Sequence, residues 1–471
     1  MIRLLFIVCL LLSARLVEPL AAELFPIRGY YITFMRMPVM GLAEWRQSID
    51  CFVEDDVNTL ILWTAGAFRS RKFPITWQYN SEHANVTNDF LGQVIDYAHS
   101  KEIRVLLGFT PFGYDGVNRY PLEHPELKAL KADGSPVDPF GIHCWGWNLC
   151  AAQPESQRFM REYLLEMLDF YPNADGLLVE SSDYNICRCP KCGPKYYDNE
   201  FSFVRWISDE VWRRNPKATI VVFPHYFTGK KVPGLDAIAA RQPFDPRWSL
   251  AFSPHSAHFD AGLIEKAASS IYWSDAPILG TPRRIQEAAQ TARQHGVSGF
   301  VPSMEAFSYV TQSVEAGEPS EVGRRRKPFG FDALAEGRVP FTNLVAQTVR
   351  LAVREYGADP ELAEAEFQRR LAQRIFGSET RLEAARDLLE LQRIWTTDSD
   401  WYWVNPLIDP TFFGVRSRRL NWSEAKRQNC AKDLETLRRI SNHYSGSDGA
   451  AERELSRLAG IPVERWSNKS P

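Results

Sequence analysis

The stretch Asp175-Gly-Leu-Leu-Val-Glu180-Ser-Ser-Asp183 sets the pattern for the whole chain. The apolar run Gly176–Val179 is too short for a helix and reads as a buried strand, and polar, chemically able residues follow directly on its carboxyl end. Seven more runs share this form: Tyr30–Phe34, Thr59–Trp63, Arg104–Phe109, Thr219–Phe223, Ser249–Phe252, Ser270–Trp273 and Gly299–Pro302. Amphipathic stretches of helical length lie between them, including Leu42–Glu54, Asn88–Ser100, Glu155–Phe170, Glu200–Arg214, Ala261–Ala268 and Pro282–Gln294. In Pro282–Gln294, Ile285, Ala288, Ala289 and Ala292 recur at three and four residues and mark one apolar face. Strand and helix alternating eight times predict an α/β fold, a closed (β/α)8 TIM barrel over residues 23–357. A doubly wound open sheet is the alternative, and the missing Gly-rich fingerprint after the first strand counts against it.

The joints orient this barrel. Helix-to-strand joints are short, as at Asp55–Asn58 and Glu102–Ile103, whereas strand-to-helix joints such as Thr110–Pro154 and Val310–Arg338 are long. Long irregular segments in compact domains are usually functional, and barrel chemistry sits at the carboxyl ends of the strands. Past Gly357 only helical periodicity remains, which predicts a helical domain over 358–445 and a polar tail over 446–471. At the other end, Arg3, the apolar run Leu4–Leu12 and Ala21-Ala22 before Glu23 form the pattern of a signal peptide over residues 1–22. The expectation is a secreted or periplasmic protein with no membrane span.

Composition narrows the function. With Lys+Arg 55 against Asp+Glu 58 and no long basic run, nucleic acid is not the expected partner. Fourteen Trp and 17 Tyr in 471 residues supply many flat rings of the sort that line ligand sites. The strand ends then collect carboxylates, histidines and aromatics: Arg36 after the first run, Trp63 at the end of the second, Glu180, Asp183 and Tyr184 after the fourth, His225 and Tyr226 after the fifth, His255 after the sixth, Trp273 and Asp275 at the seventh, and Glu305 after the eighth. Trp145 and Trp147 stand in the long loop after the third. Paired carboxyls among aromatic platforms suit glycosidic bond cleavage, in which one acid protonates the leaving oxygen and the other acts as base or nucleophile. A metal-dependent hydrolase would want a His-x-His after the first strand, and a serine hydrolase a Gly-x-Ser-x-Gly elbow; neither is present.

The phrase Asp175 to Asp183, followed by Cys187-Arg-Cys189-Pro-Lys-Cys192, resembles the fourth strand and loop of secreted glycoside hydrolase-type barrels, the hexosaminidase-like and α-glucuronidase-like groups among them. Arg28-Gly29 and Arg36 resemble the hexosaminidase entry strand, where an arginine binds sugar hydroxyls. The resemblance covers about two-thirds of the chain. It departs from the hexosaminidase pattern in separating Glu180 from Asp183 by two serines, which weakens the case for substrate-assisted N-acetyl chemistry. What it implies is a glycoside hydrolase with Glu180 as general acid, Glu305 or Asp275 as base or nucleophile, a carbohydrate substrate and no organic cofactor. A carbohydrate-binding barrel that has lost catalysis is the rival.

The cysteines form a second constellation. Outside the leader, five of seven lie on the loops after strands three and four: Cys144, Cys150, Cys187, Cys189 and Cys192. Cys189-Pro-Lys-Cys192-Gly193 has the spacing of a zinc knuckle, while export favours disulfides between the two loops. Both readings stand at this point.

Overall fold

The structure, a computed structural model, describes residues 25–33, 41–64, 68–78, 86, 88–113, 116–137, 146–180, 186–224, 227, 244–252, 260–273, 281–304, 340–342, 344–395 and 424–467. Its centre is a closed barrel of parallel strands in chain order, β1 (Ile27–Thr33), β2 (Thr59–Trp63), β3 (Arg104–Phe109), β4 (Gly176–Val179), β5 (Thr219–Val222), β6 (Trp248–Phe252), β7 (Ser269–Tyr272) and β8 (Gly299–Phe300). Closure rests on β8, which has only two residues and pairs with β1 through Ile27–Gly299 and Arg28–Phe300. The eight runs expected from sequence are all strands; three coincide with the observed bounds and the others differ at an end by one to three residues.

The outer layer comprises α1 (Leu42–Glu54), α2 (Leu91–Ser100), α3 (Pro154–Phe170), α4 (Tyr196–Arg214), α5 (Ala261–Lys266), α6 (Pro282–Gln294) and α7 (Leu344–Ala358). Alternation along each strand splits the apolar residues into two cores. Tyr31, Ile61, Trp63, Leu106, Leu178, Val221, Ala251, Ile271 and Val301 fill the barrel interior. Their neighbours Tyr30, Ile32, Leu60, Leu62, Leu107, Leu177, Val179, Val222 and Leu250 pack outward under the helices. Strand β4 can lie this close to β5 because it starts at Gly176, whose φ is +152° and where a Cβ would stand 1.8 Å from the Thr219 carbonyl oxygen.

A buried ion pair joins the first and last βα units. Arg350 of α7 reaches Asp55 at the end of α1 with Nε–Oδ2 2.6 Å and Nη2–Oδ1 2.9 Å, and donates to the Phe341 carbonyl at 3.1 Å. Tyr30 of β1 donates to the same carboxylate at 3.0 Å. Burial raises the Asp55 pKa even though Arg350 and Tyr30 pull it down, so desolvation outweighs the pairing.

Beyond the barrel, α8 (Glu364–Phe376) and α9 (Leu382–Trp395) form one helical pair, and α10 (Glu424–Tyr444) and α11 (Ala450–Ser467) a second. Asp387 of α9 binds Arg439 (2.5 Å) and Tyr444 (3.1 Å) of α10. The expected polar tail over 446–471 is corrected here: most of it is α11, which buries Leu455, Leu458 and Ala459 on one stripe. Its many charges mask that stripe in the sequence, but three apolar residues at three and four suffice once α10 offers a partner face. Among the described residues, no helix is long and apolar enough to cross a membrane. The proposed leader lies outside them.

Because a buried ion pair is costly to break and cheap to replace, Arg350→Met alone should lose about 3–5 kcal/mol of unfolding free energy. Asp55→Leu combined with Arg350→Met should recover most of it in denaturant titrations. A double variant as unstable as the single one would show that the charges themselves are needed.

Candidate functional site

The alternation that turns Leu178 into the barrel turns Glu180, two residues on, to the same side. Glu180 N–H continues the ladder by donating to the Phe109 carbonyl at 3.0 Å, which fixes the residue at the carboxyl end of β4. Its side chain is only 5% exposed, and Tyr31 Oη donates to Oε2 at 3.4 Å. The Tyr31 ring lies 6.2 Å from Trp63 and 5.3 Å from Trp273, and Phe223 meets Trp273 edge-on at 5.9 Å. Strands β1 and β2, with the residues after β5 and β7, thus build an aromatic cluster whose Tyr31 touches the buried carboxyl. Such a group lies far from bulk water at a high desolvation cost, the circumstance in which functional carboxyls are found.

Two polar atoms in this region have no hydrogen-bond partner among the described residues: Thr110 Oγ1, just past β3, and Trp273 Nε1. Both positions continue the inward alternation, Thr110 from Leu106 and Trp273 from Ile271. A hydroxyl-rich ligand would satisfy both.

Of the residues expected at the site, Glu180, Trp63 and Trp273 gather in or against the barrel interior. Trp147 does not belong with them. It packs in the outer core with the Lys128 ammonium 3.8 Å above its ring, so a cation already covers that face. Arg28 is at the opposite, amino-terminal end of β1, where it binds the Phe25 and Asp56 carbonyls. Arg36, Trp145, Asp183, Tyr184, His225, Tyr226, His255, Asp275 and Glu305 lie outside the described residues. Tyr31, Thr110 and Phe223 were not foreseen as site residues; counting alternate positions back and forward from each strand end would have found all three.

The loops after β3 and β4 meet at the cysteines. Cys150, Cys187, Cys189 and Cys192 are buried, with all four sulfurs within 4.8 Å of one another. Cys150 Sγ is 3.7 Å from Cys189 Sγ and 3.5 Å from Cys192 Sγ. A disulfide needs about 2.05 Å, so the cross-loop bridges expected from export have no counterpart among the described residues, where these cysteines are thiols. Cys144 lies outside them. Hydrogen bonds from Cys150 and Cys192 draw the Cys187 thiol far below its ordinary value, and Cys150 is held up to about 12 by its bond to Cys187.

No family model and no curated protein matches the sequence. Solved structures do match the fold. A GH138 enzyme targeting pectin rhamnogalacturonan II superimposes with a TM-score of 0.53 at 13% identity, over 94% of this chain and 57% of that enzyme. An O-GlcNAc hydrolase of Thermobaculum terrenum gives 0.50 at 10% identity, over 95% of this chain and 83% of the other. The chain therefore spans little more than half the length of the first of these. At such identities the likeness is one of fold. The protein is a (β/α)8 barrel with a helical extension, built like the barrels of glycoside hydrolases.

If Glu180 is held for chemistry and not for the fold, replacing its carboxyl by an amide should leave stability unchanged or raise it by up to about 2 kcal/mol. Thermal and denaturant unfolding of Glu180→Gln test this. A loss beyond about 2 kcal/mol would make Glu180 a structural residue.

Proposed function

We propose that this chain is an exported glycoside hydrolase in which Glu180 protonates the leaving oxygen. The observation that carries this reading is a buried carboxyl, turned inward at the carboxyl end of β4 and bonded to Tyr31, whose ring packs with Trp63 and Trp273. Aromatic faces suit the apolar faces of sugar rings, and the Trp273 donor and Thr110 hydroxyl, unpartnered among the described residues, suit their hydroxyls. A general acid must carry its proton at the working pH and hold it within reach of the leaving oxygen.

The second carboxylate is assigned to the segments after β7 and β8. In sequence, Asp275 stands three residues past β7 and Glu305 five past β8, on the segments where barrel chemistry sits. Glu305 follows the strand opposite β4 and is the choice for a base acting through water, since inverting enzymes need roughly 6.5–9.5 Å between the carboxyls. Asp275 follows a strand one step nearer and is the alternative, and a separation of about 5–5.5 Å would suit a covalent nucleophile. Asp183 is the remaining carboxylate near the acid in sequence. Arg36, Tyr184, His225, Tyr226 and His255 are assigned to substrate binding, and residues 1–22 to a cleaved export signal.

The mechanism makes unequal demands on substrates. Glu180→Gln should cut turnover by about 100- to 10,000-fold on glycosides with poor leaving groups, and far less on activated aryl glycosides, which scarcely need protonation. Glu305→Gln should damage both alike. Kinetics on a panel of aryl and natural glycosides decide the matter. Wild-type turnover by Glu180→Gln on a poor leaving group would overturn the assignment, and sugar binding without product release would indicate a barrel that has lost catalysis.

A further inference from the structure

The geometry of the four buried thiols points to a closed structural zinc site with Cys150, Cys187, Cys189 and Cys192 as its complete ligand set. This inference is independent of the glycosidase reading. Zn–S bonds of about 2.3 Å in a tetrahedron put neighbouring sulfurs about 3.8 Å apart. The separations of 3.7 and 3.5 Å, with every pair within 4.8 Å, surround a centre of that size.

Local backbone structure supports ligation. Cys189 and Cys192 are three residues apart in a turn that closes with Gly193 N–H donating to the Cys189 carbonyl at 2.6 Å. Within that turn the Cys192 N–H donates to Cys189 Sγ at 3.4 Å. From the other loop, Leu130 N–H donates to Cys187 Sγ at 3.3 Å, and Arg188 N–H returns to the Leu130 carbonyl at 2.6 Å. Amide donors aimed at sulfur stabilise thiolate and orient it, the outer-shell arrangement that metal-bound cysteines require. An all-sulfur, four-coordinate set selects a soft or borderline ion and excludes calcium and magnesium, which take oxygen. Four protein ligands leave no open position for substrate or water, so the ion is structural.

The site has a mechanical role. Cys150 comes four residues before α3, and Cys187 seven residues after Glu180. One ion therefore ties together the two loops that leave neighbouring strands β3 and β4, on the same rim as the proposed acid.

The test uses the full mature chain, purified without chelator from zinc-supplemented medium. Elemental analysis should give one zinc per chain. Alkylation followed by peptide mass spectrometry should find these four cysteines protected in the native protein and reactive after chelation in denaturant. Cobalt exchanged for zinc in the wild-type protein should give the intense visible bands of a tetrahedral tetrathiolate, a readout that needs no variant. Cys150→Ser should reduce bound zinc at least tenfold. If that variant fails to fold, the wild-type metal content and cobalt spectrum decide. Disulfide-linked peptides among the four, stoichiometric iron in place of zinc, or less than about a tenth of an equivalent of any metal would each overturn the inference.

Discussion

Closure of the sheet is the constraint on which everything else depends. An open parallel sheet exposes two edges, and a barrel removes them only if the last strand finds the first. Here the last strand has two residues, and backbone bonds past its end carry the seam on: Tyr31 N–H donates to the Pro302 carbonyl at 3.1 Å and Met304 N–H to the Tyr31 carbonyl at 2.8 Å. The seam is reinforced from outside, where Arg350 of α7 pairs with Asp55 at the end of α1 and Tyr30 of β1 donates to the same carboxylate in a buried cluster. The same cluster brings Phe341 against Phe52, ring centroids 4.9 Å apart, which in turn meets Tyr30 at 5.0 Å. Charge specifies the join, and aromatic packing supplies much of its cohesion.

Once the sheet is closed, the position of each inward side chain follows from counting. Tyr31, Trp63, Glu180 and Trp273 come from four separate strands, yet they converge because each occupies the inward phase near its strand's carboxyl end. The proposed acid, Glu180, is set at the end of a strand, held there by its backbone bond to Phe109. Its immediate surroundings are fixed by the packing that fills the barrel.

The fold was legible because its signal is redundant. Eight strand-and-helix repeats reinforce one another, and boundaries such as Thr59–Trp63, Arg104–Phe109 and Leu42–Glu54 coincide with the observed elements. Glu180, Trp63 and Trp273 were legible for the same reason, as residues at strand ends. Trp147 was misread because a tryptophan on a loop carries no sequence mark of what covers it; only the fold brings Lys128 across its face. Tyr31 went unnoticed because it sits inside a strand whose apolar character explains it fully, and its bond to Glu180 spans 149 positions. Helix α11 was hidden by its charges, since a three-residue stripe gains meaning only against the face of α10. The cysteines showed their spacing but not their state, because pairing depends on how two loops distant in sequence come to rest.

The strands carry two cores on one backbone, and this has an evolutionary consequence. A substitution at Leu177 or Val179 is felt under the helices, while one at Leu178 is felt inside the barrel, though the three are adjacent. Inheritance can therefore treat odd and even positions of each strand as separate traits. Lineages descended from this barrel could drift on one phase to refit the helices and on the other to reshape the barrel interior, with little conflict between the two.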